Sequence, residues 1–173
     1  MPPKRKSTGG ADSPVSEKKT KTGSKKATVG KPVDTSLVFL MENEKKTTLG
    51  DLLQDKGVVI FMYPRANTPG CTKQACGFRD DYEEFEKHGF DVYGMSYDKP
   101  QSQLKWKIKY SLPYHLLTDE SGDALKHFGA HKAPKGVIRS HIVIGKDGIV
   151  VDLRNKISPG DSFTGALETV KEA

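Results

Sequence analysis

The sequence predicts an α/β domain, a mixed central sheet flanked by helices on both faces. Three observations predict it. The run 58–63 (Val, Val, Ile, Phe, Met, Tyr) is wholly apolar, and it is cut off by Pro64, Pro69 and Gly70. That is the pattern of a buried strand entering a loop. Beyond the loop, Ala75, Phe78, Tyr82 and Phe85 recur at spacings of three and four, one face of a helix, and 90–97 then reads as a second central strand. Toward the C-terminus, 138–144 and 149–153 alternate around Gly145-Lys146-Asp147-Gly148, a strong hairpin signal. A β-α-β unit followed by an antiparallel hairpin makes a mixed sheet.

The elements follow in order. The folded domain is expected over 31–173, behind a disordered basic tail at 1–30. Leu37 to Leu40 suggest a first strand, with a turn at 42–44. Thr48 can cap a short helix carrying Leu49, Leu52 and Leu53. After the strand at 58–63, a single helix is expected from Thr72 to about Lys87, ended by Gly89. A helix over 101–110 carries Leu104 and Ile108 with the only tryptophan, Trp106, between them. Residues 116–119 read as a short strand or turn and 124–128 as one or two helical turns. Ser158 and Pro159 start a closing helix through Ala166, Leu167 and Val170.

Charge is distributed unevenly. Residues 1–30 hold eight Lys and Arg against Asp12 and Glu17, which accounts for the whole net charge of +6. Residues 1–36 contain no Ile, Leu, Phe, Tyr or Trp, too little apolar surface to offset ordering entropy. The clusters Lys4-Arg5-Lys6 and Lys18-Lys19 fit a bipartite nuclear import signal, so a nuclear location and an import receptor are expected. The same clusters would also suit a solubilising tail or a nucleic-acid patch, and composition leaves nucleic-acid binding open. No apolar run is long enough for a membrane helix and no secretory core is present, so no membrane partner and a reducing compartment are expected.

The chemistry converges on the only two cysteines, Cys71 and Cys76. Cys71 falls where a strand has ended, a loop has turned and a helix begins. Free N–H groups and the partial positive charge of a first helical turn stabilise an anion, here the nucleophilic thiolate. The alternative is a small apolar core residue. Cys76 sits five residues on, about 7.5 Å along an intact helix and roughly 140° past a full turn. A disulfide needs Cα atoms within about 7 Å and converging Cβ vectors. The pair therefore cannot bond while the first turn stands, which suits a redox switch and not a static staple.

Pro64-x3-Thr68-x2-Cys71, with a second cysteine five residues later, resembles the peroxiredoxins, specifically the bacterioferritin comigratory protein or peroxiredoxin Q class. The resemblance runs from about Val33 to the C-terminus. It implies a thioredoxin-like fold and a thiol peroxidase that reduces hydrogen peroxide and alkyl hydroperoxides. Cys71 would be the peroxidatic residue and Cys76 the resolving one, joined in an intramolecular disulfide that thioredoxin reduces. Thr68 would supply a hydroxyl donor, Pro64 would fix the loop and shield the thiolate, and Arg139 would be the site's guanidinium. Arg65 reads as exposed, and Arg79 as paired with Asp80 or Glu83. No metal, haem or flavin is implied, and an internal resolving cysteine makes a monomer sufficient.

Cys71-x4-Cys76 and His127-x3-His131 have metal-like spacings, but the gap between them far exceeds a zinc finger's. A disulfide oxidoreductase would call for Cys-x2-Cys. The rival from another class is a chromatin- or DNA-associated redox-sensing interaction protein, whose cysteines would oxidise once without turnover.

Overall fold

A computed structural model describes residues 25–173. The expectations of disorder and nuclear import at 1–24 lie outside the described residues. Ordered contact with the domain begins ahead of the boundary read at residue 31. The Ala27 N–H donates to the His127 carbonyl at 2.7 Å and the Gly30 N–H to the Val150 carbonyl at 2.9 Å.

Strand β1 (Val38–Met41) turns into β2 (Lys46–Thr48), and helix α1 (Leu49–Leu52) follows. Thr48 caps α1 as expected, in a reciprocal box with Asp51. Strand β3 (Gly57–Met62) leads to α2 (Pro69–Asp80), α3 (Tyr82–Lys87) and β4 (Phe90–Ser96). Then come α4 (Pro100–Tyr110), β5 (Leu116–Thr118) and α5 (Asp123–His127). A two-stranded ribbon of β6 (His131–Lys132) and β7 (Gly136–Val137) precedes the hairpin β8 (Ser140–Ile144) and β9 (Val150–Asn155), and α6 (Pro159–Glu172) closes the chain.

The large sheet runs β2-β1-β5-β4-β3-β8-β9. Strands β3, β4 and β5 are parallel, while β8 lies antiparallel to β3, so the sheet is mixed as predicted. β3 is buried at every position because both of its faces are covered. Val58, Ile60 and Met62 pack with Leu49, Leu125 and Phe128 beneath α1 and α5. Val59, Phe61 and Tyr63 pack with Phe78, Phe85, Trp106 and Ala166 beneath α2, α3, α4 and α6.

Two helix expectations need correction. The single helix expected from Thr72 to Lys87 starts earlier, at Pro69, and breaks at Asp81. Asp80 and Asp81 are adjacent, like-charged and poor helix formers, which makes this the weak point of the run. In α4 the expected apolar face is the exposed one: Leu104 is 39% and Ile108 68% accessible. The buried face is Pro100, Gln103 and Trp106. Gln103 can turn inward because both ends of its amide are bonded, the oxygen accepting from the Tyr63 hydroxyl and the nitrogen donating to the Leu117 carbonyl at 2.9 Å.

Candidate active site

The loop between β3 and α2 is held in shape before any catalytic group is considered. The Ala66 N–H donates to Asp98 Oδ2 at 2.8 Å, and the Ser96 hydroxyl donates to the same oxygen at 2.7 Å. Asn67 adopts a left-handed conformation with φ of 63°, which asparagine tolerates better than most residues. Pro64 is exposed where β3 gives way to the loop, and Arg65 is exposed beside it. Thr68 is the N-cap of α2 and Pro69 its first residue. Proline suits that position because its missing N–H would be unpaired there anyway.

The first bond of the α2 ladder runs from the Thr72 N–H to the Thr68 carbonyl at 2.8 Å. The N–H groups of Gly70 and Cys71 precede it and are open to an anion. Both cysteines are free thiols; Cys71 is 1% accessible and Cys76 is half-buried. The Thr68 hydroxyl donates to the Arg65 carbonyl at 2.8 Å. Its proton is thus committed, and the hydroxyl oxygen keeps only accepting capacity. Sequence reasoning had made it a donor.

Arg139 stands one residue before β8 and brings its guanidinium to the start of α2. Its Nη1 lies 3.4 Å from Cys71 Sγ and donates to Gln74 Oε1 at 2.9 Å. A Cβ on Gly70 would lie only 3.0 Å from Arg139 Nη2, so the glycine leaves the space the guanidinium fills. A fixed cation and the first turn of a helix therefore meet at one sulfur. Arg79 is engaged elsewhere: it pairs with Asp80 at 3.0 Å and donates to the Tyr110 carbonyl at 2.9 Å.

The segment 71–76 is also tied to its surroundings by side chains. Trp106 Nε1 donates to Thr72 Oγ1 at 3.2 Å, and the Tyr114 hydroxyl donates to the Ala75 carbonyl. Burial pushes the Tyr114 phenol well above its ordinary range, so it remains a proton donor. On the other side, Gln74 Nε2 donates to Ser162 Oγ at 3.0 Å. One turn further along, the Phe163 ring lies against Gly77, where a Cβ would come within 2.1 Å of it.

The structure brings Arg139 to Cys71; Thr68 is the N-cap of the helix that carries both cysteines, and Pro64 stands at the entry of the preceding loop. Sequence reasoning missed Gln74, Asp98 and Trp106. Gln74 had a signal: three residues after Cys71, it shares the cysteine's side of the helix. Among the described residues, no group of three or more His, Cys, Asp or Glu could hold a metal ion. The two histidines with ligand-like spacing are otherwise occupied. His127 bonds the Asp34 N–H and the Lys25 carbonyl, and His131 bonds the Tyr97 hydroxyl. No helix among the described residues is long and apolar enough to cross a membrane.

Comparison with known proteins agrees with this geometry. The AhpC/TSA family model matches residues 29–153. Peroxiredoxin bcp1 of Schizosaccharomyces pombe is 44% identical over 134 residues, covering 76% of this chain and 69% of the relative. The chloroplastic peroxiredoxin Q of Populus jackii is 42% identical over 113 residues, covering 64% of this chain and 53% of the relative. The chain thus spans only about half the length of that plant protein. Among solved structures, peroxidoxin BcpB from Mycobacterium tuberculosis superposes with a TM-score of 0.80 at 32% identity, covering 84% of this chain and 97% of that one. The fold is the thioredoxin-like fold of these structures, and the chain belongs to the AhpC/TSA family as a peroxiredoxin of the Q, or bacterioferritin comigratory, type.

Proposed function

We propose that this peroxiredoxin reduces hydrogen peroxide and alkyl hydroperoxides through Cys71 and Cys76, is recycled by thioredoxin, acts as a monomer and works in the nucleus. The observation that carries the reading is the 3.4 Å approach of Arg139 Nη1 to Cys71 Sγ at the first turn of α2. The Cys71 thiolate, its proton already released to solvent, attacks the O–H-bearing peroxide oxygen; the O–O bond breaks, and the other oxygen leaves as hydroxide or alkoxide and takes one proton from solvent to become water or alcohol. Arg139 and the N–H groups of Gly70 and Cys71 face the charge that develops on the departing oxygen. Thr68 Oγ1 accepts from the peroxide O–H. Cys71 is left as a sulfenic acid.

Cys76 then attacks that sulfur, forming the disulfide and releasing water. The step requires residues 71–76 to leave the helix, because helical geometry turns the two sulfurs apart. A dithiol donor restores both thiols by exchange, taking the disulfide onto itself. Nuclear entry rests on the basic clusters at 4–6 and 18–19. The test is peroxide consumption by purified protein with NADPH, thioredoxin reductase and thioredoxin, against omission of thioredoxin. Sustained turnover only in the complete system supports the reading. A single stoichiometric oxidation, with salt-dependent DNA binding, would favour the chromatin-associated sensor instead.

A further inference from the structure

A line of buried polar side chains leads out of the site on the side away from α4. Arg139 Nη1 donates to Gln74 Oε1 at 2.9 Å, and Gln74 Nε2 donates to Ser162 Oγ at 3.0 Å. Ser162 Oγ in turn lies 3.1 Å from His141 Nδ1. Gln74, Ser162 and His141 are each 0% accessible. They come from three elements, α2, α6 and β8, and their neighbours Ala75, Phe78, Val143 and Ala166 are apolar.

The direction of each bond follows from its chemistry. An amide has one accepting and one donating end. With Oε1 toward Arg139, Gln74 meets a donor with an acceptor; flipped, it would set N–H against N–H. Arg139 alone could not hold the amide against rotation from behind, but Ser162 receives the Nε2–H there. Ser162 keeps a lone pair aimed at Gln74 when its own proton points elsewhere, and His141 Nδ1 is within reach to accept it. That assigns the histidine proton to Nε2, which faces Asp152 Oδ2 at 3.8 Å and has no hydrogen-bond partner. The opposite tautomer would turn a nitrogen lone pair toward the carboxylate. Burial holds His141 down to about 4, so the ring is neutral and can accept.

Resting on the function proposed above, we propose that Ser162 and His141 are positioning residues of the peroxide site: they fix the amide of Gln74 with its oxygen toward Arg139 and so keep Nη1 against the Cys71 sulfur. Neither touches substrate. Connected buried hydrogen bonds of this kind gain stiffness from each other, and rigid placement of the cation is what the site requires.

The experiment is single-turnover oxidation of the reduced full chain by hydrogen peroxide, with second-order rate constants for six proteins: parent, Ser162→Ala, His141→Leu, His141→Asn, Arg139→Ala, and Arg139→Ala combined with Ser162→Ala. Ser162→Ala and His141→Leu should each slow the reaction up to about tenfold, the upper scale of losing one buried neutral hydrogen bond. His141→Asn places an amide oxygen where Nδ1 stood and should recover most of the rate. In the Arg139→Ala background, Ser162→Ala should cost nothing further, because it acts through the arginine. A merely structural role would slow that background too. The proposal is overturned if Ser162→Ala reacts at the parent rate while Arg139→Ala is slowed, or if the two substitutions multiply. If Arg139→Ala itself reacts like the parent, the site reading fails and this proposal falls with it. Should His141→Leu not fold, Ser162→Ala and the double variant still decide the question.

Discussion

Trp106 donates its indole N–H to the hydroxyl of Thr72, the residue after Cys71, at 3.2 Å. It is the only tryptophan in the chain, and its ring packs on Tyr63 with centroids 4.9 Å apart. A change in the first turn of α2 therefore reaches the single tryptophan directly. Adding one equivalent of peroxide to the reduced protein should change the intensity and wavelength of Trp106 emission, and a dithiol should reverse it. Emission that stays constant through a verified thiol-to-disulfide conversion would show that Thr72 keeps its place and that the first turn does not unwind.

Cys76→Ser removes the proposed resolving thiol and leaves the cation, the loop and Cys71 untouched. The variant should reduce one equivalent of peroxide at close to the parent rate and then stall as sulfenic acid, open to overoxidation at higher peroxide. In the parent, amide exchange should accelerate from residue 71 to about residue 78 on oxidation, while β3 stays protected. Thioredoxin-supported turnover by Cys76→Ser, followed as NADPH loss, would remove Cys76 from the mechanism.

Residues 25–30 carry contacts with the domain. Deleting 1–24 removes six of the eight tail cations and none of the contacts described above, so peroxidase turnover should be unchanged and nuclear enrichment lost. Deleting 1–30 also removes the Ala27 and Gly30 hydrogen bonds and the one between the Lys25 carbonyl and His127. Each is worth roughly 0.5–1.5 kcal/mol, so the shorter chain should melt several degrees lower. Equal melting temperatures for the two truncations would show that residues 25–30 add nothing to the fold.

Two buried groups set opposite pH trends. Burial lowers His141 from 6.5 to about 4, so between those values the unfolded chain binds more protons and stability rises with pH. Burial raises Asp119 from 3.8 to about 6, so there the native state binds more protons and stability falls as pH rises. Each contribution is on the order of 3 kcal/mol and they nearly cancel. Asp119→Asn should leave the histidine trend uncovered. Urea unfolding should then give a larger gain in stability between pH 4.5 and 6.5 than the parent shows. An identical pH dependence in the two proteins would mean that Asp119 ionises normally in the native state.

Where local signals and tertiary demands agreed, the fold could be read from the chain. Asp147-Gly148 between alternating runs marked the β8–β9 hairpin, Thr48 marked a cap, and the apolar run at 58–63 marked the central strand. Hydrophobicity misled at α4, where it pointed to Leu104 and Ile108. The buried partner is Gln103, whose worth depends on a tyrosine and a backbone carbonyl from other elements. No spacing rule reaches those. The site divides in the same way. The spacing of Pro64, Thr68, Cys71 and Cys76 along one stretch could be read from the chain. The Gln74–Ser162–His141 line could not, because its members are polar residues scattered over three elements and look like surface positions until the sheet assembles them.

Gly77 follows Cys76 and lies beneath the Phe163 ring. A glycine inside a helix weakens it by about 1 kcal/mol relative to alanine, because the freed backbone has more conformations to gain. The absent methyl group that lets α6 approach thus also sets a natural stopping point for the proposed unwinding of α2, one residue past the resolving cysteine. On its far side, the remaining turn stays anchored by Phe78 in the core. If α2 unwinds as proposed, the interhelical fit and the limit of that unwinding are two results of the same missing atom, and Gly77→Ala should disturb both together.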